Sequence, residues 1–81
     1  MKLPRDLSGR ELVKLLHRYE YAVVRQSGSH MRLTSNFKNS EHHITVPDHA
    51  PLKTGILADI LDDVANYLEI DRKQLLCDLF E

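Results

Sequence analysis

Apolar residues at Leu12, Leu15, Leu16 and Tyr19 recur at i, i+3, i+4 and i+7, the spacing of one buried helical face. Glu11, Lys14 and Arg18 fall off that stripe. Ahead of it, Ser8-Gly-Arg-Glu11 has the form of a capping box, with serine at the cap and glutamate three residues on. The pattern predicts a helix over residues 9–18. The period then drops to two. Tyr21-Ala-Val-Val-Arg-Gln26 is rich in β-branched and aromatic residues and runs into Ser27-Gly28. It reads as a strand entering a two-residue turn in which Gly28 supplies the positive φ. Ser29-His-Met-Arg-Leu-Thr-Ser35 alternates polar and apolar as the return strand, and residues 36–40 form a polar loop. His42-His-Ile-Thr-Val46 alternates again and stops at Pro47. Residues 47–53, with two prolines and no periodicity, are a connection. Leu57, Ile60, Leu61, Val64 and Leu68 stripe a second helix, capped by Thr54 and running to about Tyr67. Asp71-Arg-Lys-Gln74 repeats the capping box and opens a short last helix bearing Leu75, Leu76, Leu79 and Phe80. Helix, three strands, helix, helix means an α+β fold, with helices on one face of a three-stranded antiparallel sheet.

The strands can be put in register. A turn at Ser27-Gly28 places Gln26 opposite Ser29, Arg25 opposite His30, Val24 opposite Met31, Val23 opposite Arg32 and Ala22 opposite Leu33. Pairing Leu33 with Ile44 and Met31 with Val46 keeps the apolar residues on one face, because side chains alternate with period two. The expected core face is Ala22, Val24, Met31, Leu33, Ile44 and Val46. The expected open face is Tyr21, Val23, Arg25, His30, Arg32, Thr34, His43 and Thr45. That face has two arginines and two histidines and no acidic side chain, which suits a polyanion; arginine and lysine neutralise phosphates and hydroxyls add donors.

Length and charge narrow the class. The chain has 81 residues, 42% hydrophobic and 28% charged, which is ordinary globular composition and the size of one small domain. It excludes a disordered tail, a collagen-like chain and a two-domain enzyme. The formal charge is −1, but it is unevenly spread. Residues 1–53 carry nine basic side chains, Lys2 among them, against five acidic ones; residues 54–81 carry two against seven. The parts are +4 and −5, and all five histidines lie in the first. Cys77 is the only cysteine, so no internal disulfide forms, which fits a reducing cytoplasm. No apolar run approaches the roughly 18 residues of a membrane span, and residues 1–4 lack a signal-peptide core.

Among groups able to do chemistry, His30 stands out. It follows the turn and lies between Arg25 and Arg32 on the expected open face, where nearby cations favour neutral imidazole. Neutral imidazole is a competent general base. RNA carries its own nucleophile in the 2′-hydroxyl, so a base plus cations that stabilise the crowded phosphorane suffice for cleavage without metal or cofactor. The plain alternative is a surface histidine resting on arginine or tyrosine. His42 and His43 are adjacent on a strand and point to opposite faces, a poor start for a zinc site. Cys77 reads as a partly buried small hydrophobe. His17 reads as incidental, as does His49, although His49 can approach the open face from the strand end. Asp59, Asp62 and Asp63 read as a solvated helix face. No glycine-rich phosphate loop, nucleophile elbow or carboxylate pair is present.

The residues carry a family resemblance. Ser8-Gly-Arg-Glu-Leu-Val-Lys-Leu-Leu16, Val23-Val-Arg-Gln-Ser-Gly-Ser-His30, Ile44-Thr-Val-Pro47 and Gly55-Ile-Leu-Ala-Asp-Ile60 together resemble the HicA, or YcfA-like, family of type II toxins. The resemblance spans nearly the whole chain as one domain, 1–81. It implies a double-stranded-RNA-binding-domain-like α-β-β-β-α fold, here with an additional C-terminal helix. It implies an mRNA interferase, an endoribonuclease that halts translation, and a HicB-like antitoxin that masks its active site. The family's catalytic histidine maps onto His30 and its hairpin glycine onto Gly28. The chain departs from the family in being less basic, in having Met31 after that histidine, and in its acidic last helix. The expected site is thus His30 as acid or base, Arg25 and Arg32 on the scissile phosphate, and Lys38, His43 and Lys53 as further phosphate contacts, with no metal. The alternative is a non-catalytic RNA-binding domain using the same face. The acidic C-terminal helices are expected to contribute to the antitoxin surface or to lower nonspecific affinity for nucleic acid.

Overall fold

The computed structural model describes residues 3–81; Met1 and Lys2, which enter the charge count and the N-terminal reading above, lie outside the described residues. The order is α1 (Gly9–Leu16), β1 (Ala22–Ser27), β2 (His30–Ser35), β3 (His42–Pro47), α2 (Thr54–Leu68) and α3 (Arg72–Phe80). The three strands form an antiparallel sheet in the order β1-β2-β3. This is the α+β arrangement expected.

Local chemistry sets the helix ends. Both halves of the Ser8 capping box are made: the Ser8 hydroxyl accepts the Glu11 amide at 3.1 Å and the Glu11 carboxylate accepts the Ser8 amide at 2.9 Å. Those bonds hold the Glu11 carboxyl below its ordinary range. The α-helix stops at Leu16, earlier than the stripe suggests, and His17–Tyr19 tighten into a 3₁₀ turn. Glu20 closes it in the left-handed region. α2 is entered from Lys53, not from a Thr54 cap; Lys53 is extended and Thr54 is already helical. The reason lies one residue upstream, where buried Leu52 is pinned by its amide to the Leu7 carbonyl at 2.8 Å. Asp71 caps α3 through the Gln74 amide at 2.7 Å, but the Gln74 side chain turns forward to Asp78 instead of completing a box.

The core sits between the sheet and the three helices. Leu12 and Leu16 of α1, Met31, Leu33, Ile44 and Val46 of the sheet, Leu57, Ile60, Leu61 and Val64 of α2, and Leu75, Leu76 and Leu79 of α3 are all buried in one cluster. α3 is therefore a structural part of the core. It is also tied down by polar contacts: the Arg18 guanidinium donates to the Asp78 carbonyl, and the Tyr19 hydroxyl to the Asp78 carboxylate at 3.1 Å. Cys77 on this helix is half-buried.

The hairpin register corrects the expectation. β2 and β3 pair as foreseen, Leu33 with Ile44 and Met31 with Val46. β1 does not. The turn is Gly28-Ser29, so Ser27 faces His30, Gln26 faces Met31 and Arg25 faces Arg32; an irregularity between Val23 and Arg25 then leaves Val23 facing Leu33 and Ala22 facing Thr34. An extra residue in one strand reverses the alternation beyond it. Tyr21 and Val23 thus lie on the helix side of the sheet, and Ala22 and Val24 leave the core face to which the pattern assigned them. Burial of Tyr21 explains the choice. Its ring is fully buried and its hydroxyl meets His42 Nδ1 at 2.7 Å. His42 Nε2 meets Asp63 at 3.1 Å, and the imidazole stacks on Tyr67 at 4.5 Å. The carboxylate only accepts, so Nε2 donates to Asp63; in the tautomer with its proton there, Nδ1 accepts a hydrogen bond from the Tyr21 hydroxyl. Burial holds the Tyr21 phenol above its usual range, with Tyr67 and Asp63 adding to the shift.

All six residues of β1 are exposed, because α1 stands off from this edge. Between them lies an open groove of about 570 Å³, lined among others by Val13, Lys14, His17, Val23 and Met31.

Candidate functional site

Three of the sequence motifs meet at one pole of the sheet. The turn Gly28-Ser29 leads directly into His30 at the start of β2, and His30 faces Ser27 on one side and Pro47 on the other. Gly28 has φ +59°, and a Cβ there would meet nothing within 4 Å. The glycine is required by backbone conformation alone, as the first residue of a two-residue hairpin turn. The N-terminus of α1 docks beside the end of β3: the Gly9 amide donates to the His49 carbonyl at 2.9 Å. A Cβ on Gly9 would lie 1.9 Å from the Pro47 carbonyl oxygen. That atom belongs to backbone and cannot step aside. Gly9→Ala is expected to lower stability by about 1–3 kcal/mol through overpacking, seen as a fall in the urea midpoint with an unchanged slope.

His30 and Arg32 alternate onto the open face, and Arg25 lies directly opposite Arg32. Opposed side chains on an antiparallel pair have Cβ atoms about 5 Å apart, where like charges repel. No carboxylate among the described residues pairs with either arginine. Arg32 donates instead to the Thr45 hydroxyl at 3.1 Å. His30 is exposed, and its imidazole makes no hydrogen bond among the described residues. The expected pairing of Arg25 with His30 is therefore replaced by an opposed arginine pair one step further along the sheet.

The other expected contacts divide. His43 is on the open face but opposite Thr34, four residues along β2 from His30, about 13 Å at strand rise. It bonds Thr34 Oγ1 at 2.9 Å and Glu41 at 2.7 Å. Glu41 thus places a negative charge at that end of a face expected to have none. Tyr21, counted on this face, is in the core. Lys38 lies in the loop after β2, where its amide donates to the Tyr67 hydroxyl at 2.9 Å, at the end away from His30. Lys53 is the cap residue of α2 on the helix side. His49 is exposed in the loop after β3, with no side-chain hydrogen bond to His30 among the described residues. His42 and His43 do point to opposite faces, and among the described residues no three His, Cys, Asp or Glu side chains gather as a metal site. Asp62 and Asp63 are exposed as expected, but each is paired, with Arg72 at 3.5 Å and His42 at 3.1 Å.

Sequence reasoning missed Arg10, Gln26 and Asp48. Asp48 accepts both Arg10 Nε and Nη2 at 2.9 Å, and Gln26 Nε2 at 3.4 Å. Gln26 Nε2 also donates to the Gly28 carbonyl at 3.0 Å, and the Asp48 amide donates to the Ser29 carbonyl. One signal was available. Arg10 occupies the first turn of α1, where the helix dipole disfavours a cation, so a nearby carboxylate was to be expected. The hydrogen bonds from Arg10 hold the Asp48 carboxyl below its usual range. A lowered carboxyl stabilises the fold above its unfolded value and loses that contribution as pH falls through the folded one. The bracket should hold at neutral and mildly acidic pH and open only below roughly pH 4. The Gln26 side-chain amide resonance, followed by NMR on acidification, checks this.

Residues 9–65, well over half of the chain, match the family described as the HicA toxin of bacterial toxin-antitoxin. The match covers α1, the sheet and most of α2 and ends before α3. No curated protein and no solved structure matches the chain at a significant level. Among the described residues, no helix is long and apolar enough to cross a membrane. With the capping box, the glycine hairpin and the Thr-Val-Pro strand end all converging beside His30, this chain belongs to the HicA family of toxins from bacterial toxin–antitoxin pairs.

Proposed function

We propose that this toxin is an endoribonuclease of the mRNA interferase type, with His30 as general acid or base and Arg25 and Arg32 on the scissile phosphate. The observation that carries the reading is the opposed arginine pair beside His30. Two arginines at opposed positions without a carboxylate favour an anion held between them, and a phosphodiester supplies one with the geometry guanidinium prefers. His30 takes the 2′-hydroxyl proton, the 2′-oxygen attacks phosphorus as the bond from phosphorus to the 5′-oxygen breaks, and the 5′-oxygen takes a proton from solvent water as it leaves. The arginines stabilise the charge that builds on the phosphoryl oxygens. Thr45 and Thr34 add hydroxyl donors along the same face. His43 is an outer contact for the next phosphate, whereas Lys38 and Lys53 serve only an RNA that wraps past the sheet. No metal or cofactor is invoked. The partner is a HicB-like antitoxin that covers this face, and the site of action is cytoplasmic mRNA.

A labelled transcript incubated with the protein in excess EDTA tests the reading. Fragments ending in 2′,3′-cyclic phosphate are the expected result. Salt-sensitive binding with no fragments at any protein concentration overturns it. That outcome favours the second reading, an RNA-binding domain without catalysis, which draws support from the His30 imidazole having no hydrogen-bonding partner among the described residues.

A further inference from the structure

The hairpin that carries His30 is the least supported part of the sheet. Residues 22–30 are all exposed, and nothing lies within 4 Å of a Cβ built on Gly28. A reacting imidazole on such a turn needs its backbone fixed by something other than packing. Resting on the reading of His30 as the reacting group, we propose that Asp48, held by Arg10, is a positioning residue that clamps the Gly28-Ser29 turn and so sets the placement of the His30 side chain.

Asp48 reaches both carbonyls of the turn. Its amide donates to the Ser29 carbonyl. Its carboxylate accepts from Gln26 Nε2, and Gln26 Nε2 also donates to the Gly28 carbonyl. The two residues before His30 are therefore each tied by one bond, and both ties lead to Asp48. Asp48 is in turn fixed by the two-point grip of Arg10, a fork matched to a carboxylate. Arg10 stands on α1, which is anchored through fully buried Leu12 and Leu16 and through its capping box. The chain of contacts thus runs from the core, through one helix, to a turn the core does not touch. The ion pair also has an electrostatic use. Arg10 neutralises the Asp48 carboxylate, which would otherwise repel an RNA phosphate approaching this pole. Since Arg10 keeps that carboxyl ionised, Asp48 is not a proton donor near neutral pH.

Asp48→Ala and Gln26→Ala test the proposal, the second removing only an exposed side chain on an edge strand, so that folding is not at issue. Two readouts are taken: steady-state RNA cleavage, and backbone amide relaxation of residues 27–31 by NMR in the free protein. A displacement of about 1 Å in a reacting group costs on the order of 10²-fold. Asp48→Ala is expected to lower kcat by about that factor with KM unchanged, Gln26→Ala by less, and both to raise mobility at residues 28–30. Asp48→Asn, which keeps the shape and one acceptor oxygen, should recover part of the loss. A rise in KM at constant kcat would place Asp48 in substrate binding and overturn the proposal. So would wild-type cleavage with an unchanged hairpin. If the wild type cleaves no RNA, the nuclease reading fails by itself, and the relaxation data still decide the clamp: a hairpin equally rigid without Asp48 overturns it.

Discussion

His30→Ala should abolish RNA cleavage and the growth arrest that the wild type causes, with the fold intact. General acid–base groups contribute about 10²–10⁴-fold, and the loss should fall on kcat, since the imidazole works in the transition state and not in holding RNA. The substitution is benign for folding. His30 is exposed, carries no hydrogen bond among the described residues, and starts a strand whose inward positions, Met31 and Leu33, do the packing. RNA affinity should therefore survive in His30→Ala and weaken in Arg25→Ala or Arg32→Ala, each of which removes one of the opposed cations. That division is the decisive measurement: filter binding and cleavage must separate for His30 and move together for the arginines. Toxicity of His30→Ala equal to wild type, at equal expression, would remove His30 from the mechanism.

The second large effect concerns α3, which lies beyond the part of the chain matching the family. Deleting residues 71–81 should unfold the protein. Leu75 is fully buried, and Leu76 and Leu79 are nearly so, in the same cluster as the α1, α2 and sheet residues. Each buried leucine is worth about 2–5 kcal/mol when cut to alanine. A chain of this size has roughly 4–12 kcal/mol of total stability. Losing three such leucines consumes it, and the Asp78 contacts to Arg18 and Tyr19 go with them. Circular dichroism of the truncated chain should show no cooperative melt, and Leu75→Ala alone should lower the melting temperature by several degrees or more. A truncated chain that melts within a few degrees of full length would refute this. The result also bears on the acidic surface of α2 and α3. Truncation cannot isolate its part in antitoxin binding, because it removes core and charge together. Charge-neutral substitutions at exposed Asp59 and Glu69 separate the two.

Much of this was legible in the chain. The Ser8 box, the stripes of α1 and α2 and the β2–β3 register are local or period-two features, and each follows from a few neighbouring side chains. The hairpin was misread because two turns, Ser27-Gly28 and Gly28-Ser29, satisfy the same glycine. Local chemistry does not choose between them. Arg25 falls on the open face with either turn, because moving the turn by one residue shifts its partner by two, from His30 to Arg32. Tyr21 was placed outside for a different reason: the irregularity between Val23 and Arg25, which reverses the alternation, leaves no mark in the pattern, although contacts with His42 and Tyr67 put Tyr21 inside.

The sequence by itself determined which residues form helices and strands, which face of β2 and β3 is apolar, and that His30 follows a glycine turn on a face holding arginines. Those properties depend on spacing along the chain. Tertiary structure alone decided that Arg25 opposes Arg32, that Lys38 and Lys53 lie away from His30, that α3 belongs to the core, and that Arg10 and Asp48 grip the turn. The reason is physical. Arg10 and Asp48 are 38 positions apart, and Arg18 and Asp78 are 60 apart. Contacts of that span are selected by how the helices settle on the sheet once the core is closed, and no local periodicity reports them.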